Sequence, residues 1–269
     1  MPPPVDPALR SLRIELPAKP DVLVQLALLM AEDEVDFKAM GSLIEGDMAL
    51  AAAVLQAVNS PVYGLRQAVR TVQQAILYLG SQEVAAITYE MGLRSVFPSS
   101  PELEALWLRA NRRGMLMALM ARRLGLDAFV AHSAGLFEEC GKAVMFRHAP
   151  EQYGPMLRHT ASDDLLVLQE MQAFGVGHDA LGAAMCKSWA LAPAATTCVR
   201  YHVAVHTGGA WPKDAQALPV CALSAVSHYL LRAPEALGPA VEAAATLSGL
   251  DETRLRQAAE DAHAVLRAA

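Results

Sequence analysis

Aromatic residues are scarce, 6% of a 269-residue chain that is 54% hydrophobic overall. A core poor in rings and rich in alanine and leucine favours helix over sheet. No stretch alternates apolar and polar residues at the period of a half-buried strand, and no repeat of roughly twenty to fifty residues is visible. Charge is sparse too, at 19% with a net of −6. That argues against a nucleic-acid partner, which would be held mainly by cations facing phosphates. The four cysteines, Cys140, Cys186, Cys198 and Cys221, form no C-x-x-C pair. Neither a disulfide framework nor a zinc knuckle is therefore expected, and they read as buried thiols in a reducing compartment. Apolar runs such as Pro219–Val226 fall well short of the ~20 residues that cross a bilayer. The opening MPPPVDP lacks the basic-then-apolar layout of a signal peptide. An all-α, cytoplasmic protein without a membrane partner is the expectation.

What is present is a dense series of helix signals. Residues 1–15 read as a loose, proline-bearing leader. A helix over 21–30 places Val22, Leu26 and Leu29 on one face, and Asp36 caps a second one carrying Phe37, Met40, Leu43 and Ile44. The segment Asp47–Leu79 stands out. Its helix Met48–Val58 has Gln56 as the only strongly polar residue, so other helices should surround it. Asn59-Ser60-Pro61 breaks that helix, and after a loop through Tyr63-Gly64, Thr71-x-x-Gln74 reads as a capping box. Phe97-Pro98-Ser99-Ser100-Pro101 is the clearest linker. It separates an N-terminal helical part, 16–97, from a second part, 101–206, that opens with a long helix closed by Gly125 as C-cap. After a loop over 207–212, residues 213–269 form a C-terminal helical extension.

Several motifs recur in a fixed order. Asp47 precedes the apolar helix; Val58-Asn59-Ser60, Tyr63-Gly64 and Leu79-Gly80 follow. Beyond the linker come Leu106-Trp107, Ala134-Gly135-Leu136, Gly141-Lys142, Glu170-x-x-x-Phe174-Gly175-x-x-His178, Trp189 and Arg200-Tyr201-His202. This series resembles the HDOD domain over about residues 16–206. The resemblance implies a multi-helix fold in which an N-terminal helical subdomain packs on a degenerate HD-like half. It also implies non-catalytic service in bacterial signalling, with a response regulator or a cyclic-di-nucleotide enzyme as partner and no cofactor. The region between the two halves is the expected docking groove.

HD-type phosphohydrolases, the metal-dependent relatives, need a histidine, an adjacent His-Asp pair and a further aspartate to hold an ion that activates water. By the same resemblance the first histidine falls on Arg109, which cannot ligate a metal, and the His-Asp pair falls on Glu138-Glu139. No metal and no catalytic residue are expected at those positions. Arg109 and the glutamates would instead converge in a guanidinium–carboxylate bridge that replaces the ion, or all three would have drifted to the surface. Two other functions stay open: a nucleotide or phosphate sensor in which Arg109 grips a phosphate, and a phosphohydrolase whose metal sits elsewhere. His178-Asp179 suits a helix start better than a metal, and His202-x-x-x-His206 has the spacing of an ion clip but lies where its helix should fray. Gly135-x₅-Gly141-Lys142 has one residue too many for a phosphate loop. Arg112, Arg113, Arg122 and Arg123 read as a solvated face, and Met115, Met117 and Met120 as core filler.

Overall fold

The computed structural model describes residues 14–268 apart from 33, 61, 62 and 64. Most of the leader, Pro61 of the helix-breaking triplet and the signature Gly64 thus lie outside the described residues. Those described form fifteen α-helices, with short turns, some 3₁₀ structure and no strand. The described residues divide into two compact units, one of residues 18–96 and 264–268, the other of 14–17 and 97–263. No single described helix is long and apolar enough to cross a membrane.

The smaller unit holds α1 (Asp21–Met30), α2 (Phe37–Glu45), α3 (Met48–Val58), α4 (Val72–Leu79) and α5 (Ser81–Ser95). Its helix starts follow the local chemistry. Asp36 accepts from the backbone N–H groups of Lys38 and Ala39, and Asp47 from those of Ala49 and Leu50. Thr71 accepts from the N–H of Gln74, but the Gln74 side chain reaches back to the N–H of Arg70 instead of Thr71. Gly80 joins α4 to α5 at φ 87°, a left-handed value that suits only glycine. Asn59 explains the signature it belongs to. Its amide donates to the carbonyls of Leu55 and Val69 at 2.8 Å, and its oxygen accepts from the N–H of Val69 at 2.7 Å. One side chain therefore closes the loop that follows α3. Tyr63 donates to Glu83 of α5 at 3.3 Å, and Ser60 is half-buried.

The helix expected to be enclosed on every side is not. In α3 only Leu50, Val54 and Val58 are buried, and Met48 is 85% exposed. The outer face is largely alanine, whose small apolar area costs little to leave in water.

The larger unit holds α6 (Pro101–Leu124), α7 (Ala128–Phe137), α8 (Cys140–His148), α9 (Pro150–His159), α10 (Asp163–Phe174), α11 (His178–Ser188), α12 (Pro193–His206), α13 (Leu218–Arg232), α14 (Leu237–Ser248) and, as far as His263, α15 (Glu252–Ala268). Ser100 caps α6, Pro101 occupies its first turn and Gly125 ends it in the left-handed conformation. α7 packs on α6 and α8 on α11. The two signature glycines mark these crossings. A Cβ on Gly135 would lie 2.9 Å from the main-chain N of Gly114, and one on Gly141 would run into the main chain of His178 and Gly182. Trp107 stacks beside Phe97 with centroids 5.4 Å apart, and Trp189 meets the edge of Phe137 at 5.6 Å. Trp189 also donates its indole N–H to the carbonyl of Pro17 at 2.9 Å. All four cysteines are buried and free.

Candidate functional site

The turn between α7 and α8 is two residues long, Glu138 and Glu139, and every residue from Ala131 to Phe146 around it is buried. Two adjacent carboxylates are thereby forced into the interior, where each requires a partner. The long helix α6 supplies one. Arg113 places Nη1 2.8 Å from Glu138 and 3.2 Å from Glu139, with 3% of its side chain exposed. Arg109, one turn earlier, reaches Glu139 at 3.4 Å, but 38% of its side chain remains in solvent. Lys142 of α8 bridges Glu139 at 3.1 Å and Asp163 of α10 at 2.8 Å. Ser224 of α13 donates to Glu138.

The sequence assigns the bridge to Arg109 and reads Arg113 as solvated. The structure makes Arg113 the central cation and leaves Arg109 at the rim. A heptad-like reading of α6 explains the difference. Arg113 follows Leu106 by seven positions and Ala110 by three, both buried, and so shares their inward stripe. Arg109 pairs with Glu139, not with Glu138, among the contacts seen. Arg109, Glu138 and Glu139, which the resemblance aligns with the HD positions, do not fit a divalent ion. Their carboxylates are already neutralised by Arg113 and Lys142, which stay protonated because the neighbouring carboxylates outweigh the burial that works against both charges.

The two glutamates titrate in opposite directions. Burial pushes Glu138 up to about 7 from 4.5, more than Arg113 and the Ser224 hydroxyl pull it down. Burial also works against Glu139, but Lys142, Arg109 and Arg113 outweigh it and hold this carboxyl well below the usual range. Between 4.5 and 7 the folded chain therefore keeps a proton on Glu138 that the unfolded chain has lost, so this group's contribution to stability falls as pH rises. Glu138→Gln keeps the shape and never ionises. Urea melts of both proteins near pH 5 and near pH 8 should show the stability difference moving in the variant's favour by roughly 3 kcal/mol at the higher pH. A constant difference would mean that burial does not perturb this carboxyl.

Beside the ion network lies a row of imidazoles. The rings of His178 and His202 are 5.3 Å apart, those of His202 and His206 5.5 Å, and His206 stacks on His228 of α13 at 4.2 Å. His206 Nε2 is 2.8 Å from the Ser224 hydroxyl. Burial, more than any neighbouring charge, pushes His202 and His206 well below their ordinary value, so both are neutral at neutral pH. Glu170, buried on α10, contacts His178 Nδ1 at 2.8 Å, accepts its backbone N–H at 2.7 Å and accepts the Tyr153 hydroxyl. The Glu-to-His spacing of the signature therefore builds the start of α11. Asp179 points elsewhere and pairs with Arg200, while Tyr201 is half-buried. Sequence reasoning missed Arg113, Asp163 and Ser224 as members of the site. Only the one-turn spacing of Arg109 and Arg113 hinted at the first.

An all-helical domain in which buried side-chain cations neutralise an adjacent pair of glutamates is what the fold and the site define. The chain belongs to the HDOD domain family, whose model matches residues 16–205. A curated relative, an uncharacterized protein of Treponema pallidum (strain Nichols), is 26% identical over 193 residues, covering 70% of this chain and 37% of that protein. The chain thus spans little more than a third of that relative. An HDOD domain protein of unknown function from Geobacter sulfurreducens shares the fold, with TM-score 0.72, 21% identity and coverage of 96% of this chain and 94% of that one. So does a provisionally assigned signal transduction protein from Marinobacter aquaeolei VT8, with TM-score 0.72, 19% identity and coverage of 97% and 63%.

Proposed function

We propose that this chain is a non-catalytic signalling domain that works by protein–protein contact, with a response regulator or a cyclic-di-nucleotide enzyme as partner. The observation that carries the reading is the buried network of Arg113, Lys142, Glu138, Glu139 and Asp163. It engages the carboxylates that hydrolytic chemistry of the HD type would need for an ion. Exposed apolar side chains on α10, Leu165, Leu168 and Met171, follow one another at helical spacing and offer a partner apolar area without unfolding anything. The test has two arms. Incubated with Mn²⁺ and bis(p-nitrophenyl) phosphate, the chain should turn over no faster than Glu139→Gln. Immobilised, it should retain a response regulator or a cyclic-di-nucleotide enzyme from its own cell extract, and Leu168→Glu should weaken that retention. Manganese-dependent turnover abolished by Glu139→Gln would overturn the non-catalytic reading.

One observation favours a second reading. The Arg109 head is 38% exposed and held by a single 3.4 Å contact, so it can turn toward a phosphate at the rim of the network. Sensing of a nucleotide or phosphate there predicts a ligand-induced rise in melting temperature that Arg109→Ala removes.

A further inference from the structure

Three side chains from three helices meet beside the ion network. Asp163 opens α10, His178 opens α11 and His202 lies within α12, and each offers a ligand atom within 4.8 Å of the others. Each ring is already fixed through one nitrogen. His178 Nδ1 is taken by the Glu170 carboxylate at 2.8 Å and His202 Nδ1 by the carbonyl of Val199 at 2.7 Å. A carbonyl oxygen can only accept, so His202 Nδ1 carries the proton and its Nε2 presents a lone pair. The Glu170 carboxylate likewise claims Nδ1–H of His178, so in the neutral ring Nε2 carries the lone pair. Both Nε2 atoms are buried, and neither has a hydrogen-bond partner. Both side chains are completely enclosed. A buried nitrogen left unpaired costs stability, and two such nitrogens beside one carboxylate form a paired cost that a single guest removes.

We infer that Asp163, His178 and His202 form a binding site for a divalent transition-metal ion, distinct from the ion-paired HD positions. Two imidazoles and one carboxylate suit a borderline-soft cation such as Zn²⁺, Co²⁺ or Fe²⁺ better than Mg²⁺ or Ca²⁺. The outer partners of the histidines have the arrangement that tunes metal ligands: carboxylate on one ring, main-chain carbonyl on the other. Glu170 is itself fixed, since it also accepts the Tyr153 hydroxyl and the His178 backbone N–H. Lys142 occupies one oxygen of Asp163, so the ion takes the other oxygen and shares the carboxylate with an ammonium. That competition makes the ion exchangeable. Asp163 also keeps 18% of its side chain in solvent, which gives the ion a way in. Among the described residues the cluster of mutually close ligand atoms comprises Asp163, His178 and His202 and does not include His206.

The probe is Co²⁺ alone, titrated into the full chain under anaerobic conditions and followed by its visible absorption. The expected result is saturation at one equivalent, with the absorption bleached by Zn²⁺. His178→Gln and His202→Gln should each abolish the signal, whereas His159→Gln, at an exposed position on α9, should leave it unchanged. Glu170→Gln should weaken binding about 10–100-fold, the range for outer partners of metal ligands. Circular dichroism checks that each variant is folded. Should a histidine variant fail to fold, Asp163→Asn at the edge of the cluster decides, and it should abolish saturation. Absence of saturable absorption in the wild type, or binding that survives the ligand substitutions, would overturn the assignment.

Discussion

Glu139→Gln is expected to destabilise the larger unit by about 3–5 kcal/mol, the cost of removing one partner from a buried ion network. Glu139 touches Arg109, Arg113 and Lys142 at once. Without its charge, two fully buried cations share only Glu138 and Asp163, and Glu138 is itself reluctant to ionise. A differential scan should show the transition of this unit falling by about 10 °C or more. Arg109→Ala removes a contact that is one-third in solvent and should cost no more than about 1 kcal/mol. The ranking tests the geometry. Equal effects of the two substitutions would mean that Arg109, not Arg113, anchors the carboxylates. Because the neighbours hold the Glu139 carboxyl below its ordinary 4.5, its contribution is full above that value and is lost as the pH falls below it. The penalty of Glu139→Gln should shrink accordingly in acid.

The second large effect needs no charge at all. Gly141→Ala places a methyl group against the main chain of His178 and 2.8 Å from the main-chain N of Gly182. Side chains can rotate away from an intruder, but two crossing helices can only separate. The cost should therefore reach about 3 kcal/mol, the upper end for overpacking. Chemical denaturation should show a lowered midpoint with an unchanged slope. The expansion should displace α11, whose C-cap is Trp189, so the near-ultraviolet dichroism of Trp189 packed against Phe137 should change. Gly154→Ala is the comparison, since the nearest atom there is the far end of Arg158 at 3.4 Å. It should be almost silent.

Much of this architecture is written locally. Asp36, Asp47, Thr71, Ser100 and Gly125 each mark a helix end through a hydrogen bond or a backbone conformation that spans a few residues, and such signals survive in a single sequence. The ordered motifs likewise point to the HDOD family and so to the fold. The contents of the site are less legible. Lys142 meets Asp163 across 21 residues, Ser224 meets Glu138 across 86 and Arg113 meets Glu139 across 26. No local pattern specifies which of several arginines on α6 faces inward when the helix carries alanine and glycine on more than one side. The reading of α3 failed for a related reason. Counting apolar residues treats alanine as equal to leucine, whereas burial follows area, and the area of this helix lies on Leu50, Val54 and Val58.

The buried network also limits how these positions can change. Building an HD-type ion site at the positions the resemblance points to would require histidine at 109 and a His-Asp pair at 138–139. Histidine at 138 strands half of the Arg113 charge, and no single change removes Arg113 and Lys142 together. Each intermediate carries an uncompensated interior charge, and contacting residues of this kind are strongly non-additive. The arginine and lysine thus act as a latch on this turn: a divalent ion could take their place at 138–139 only if both cations left in step.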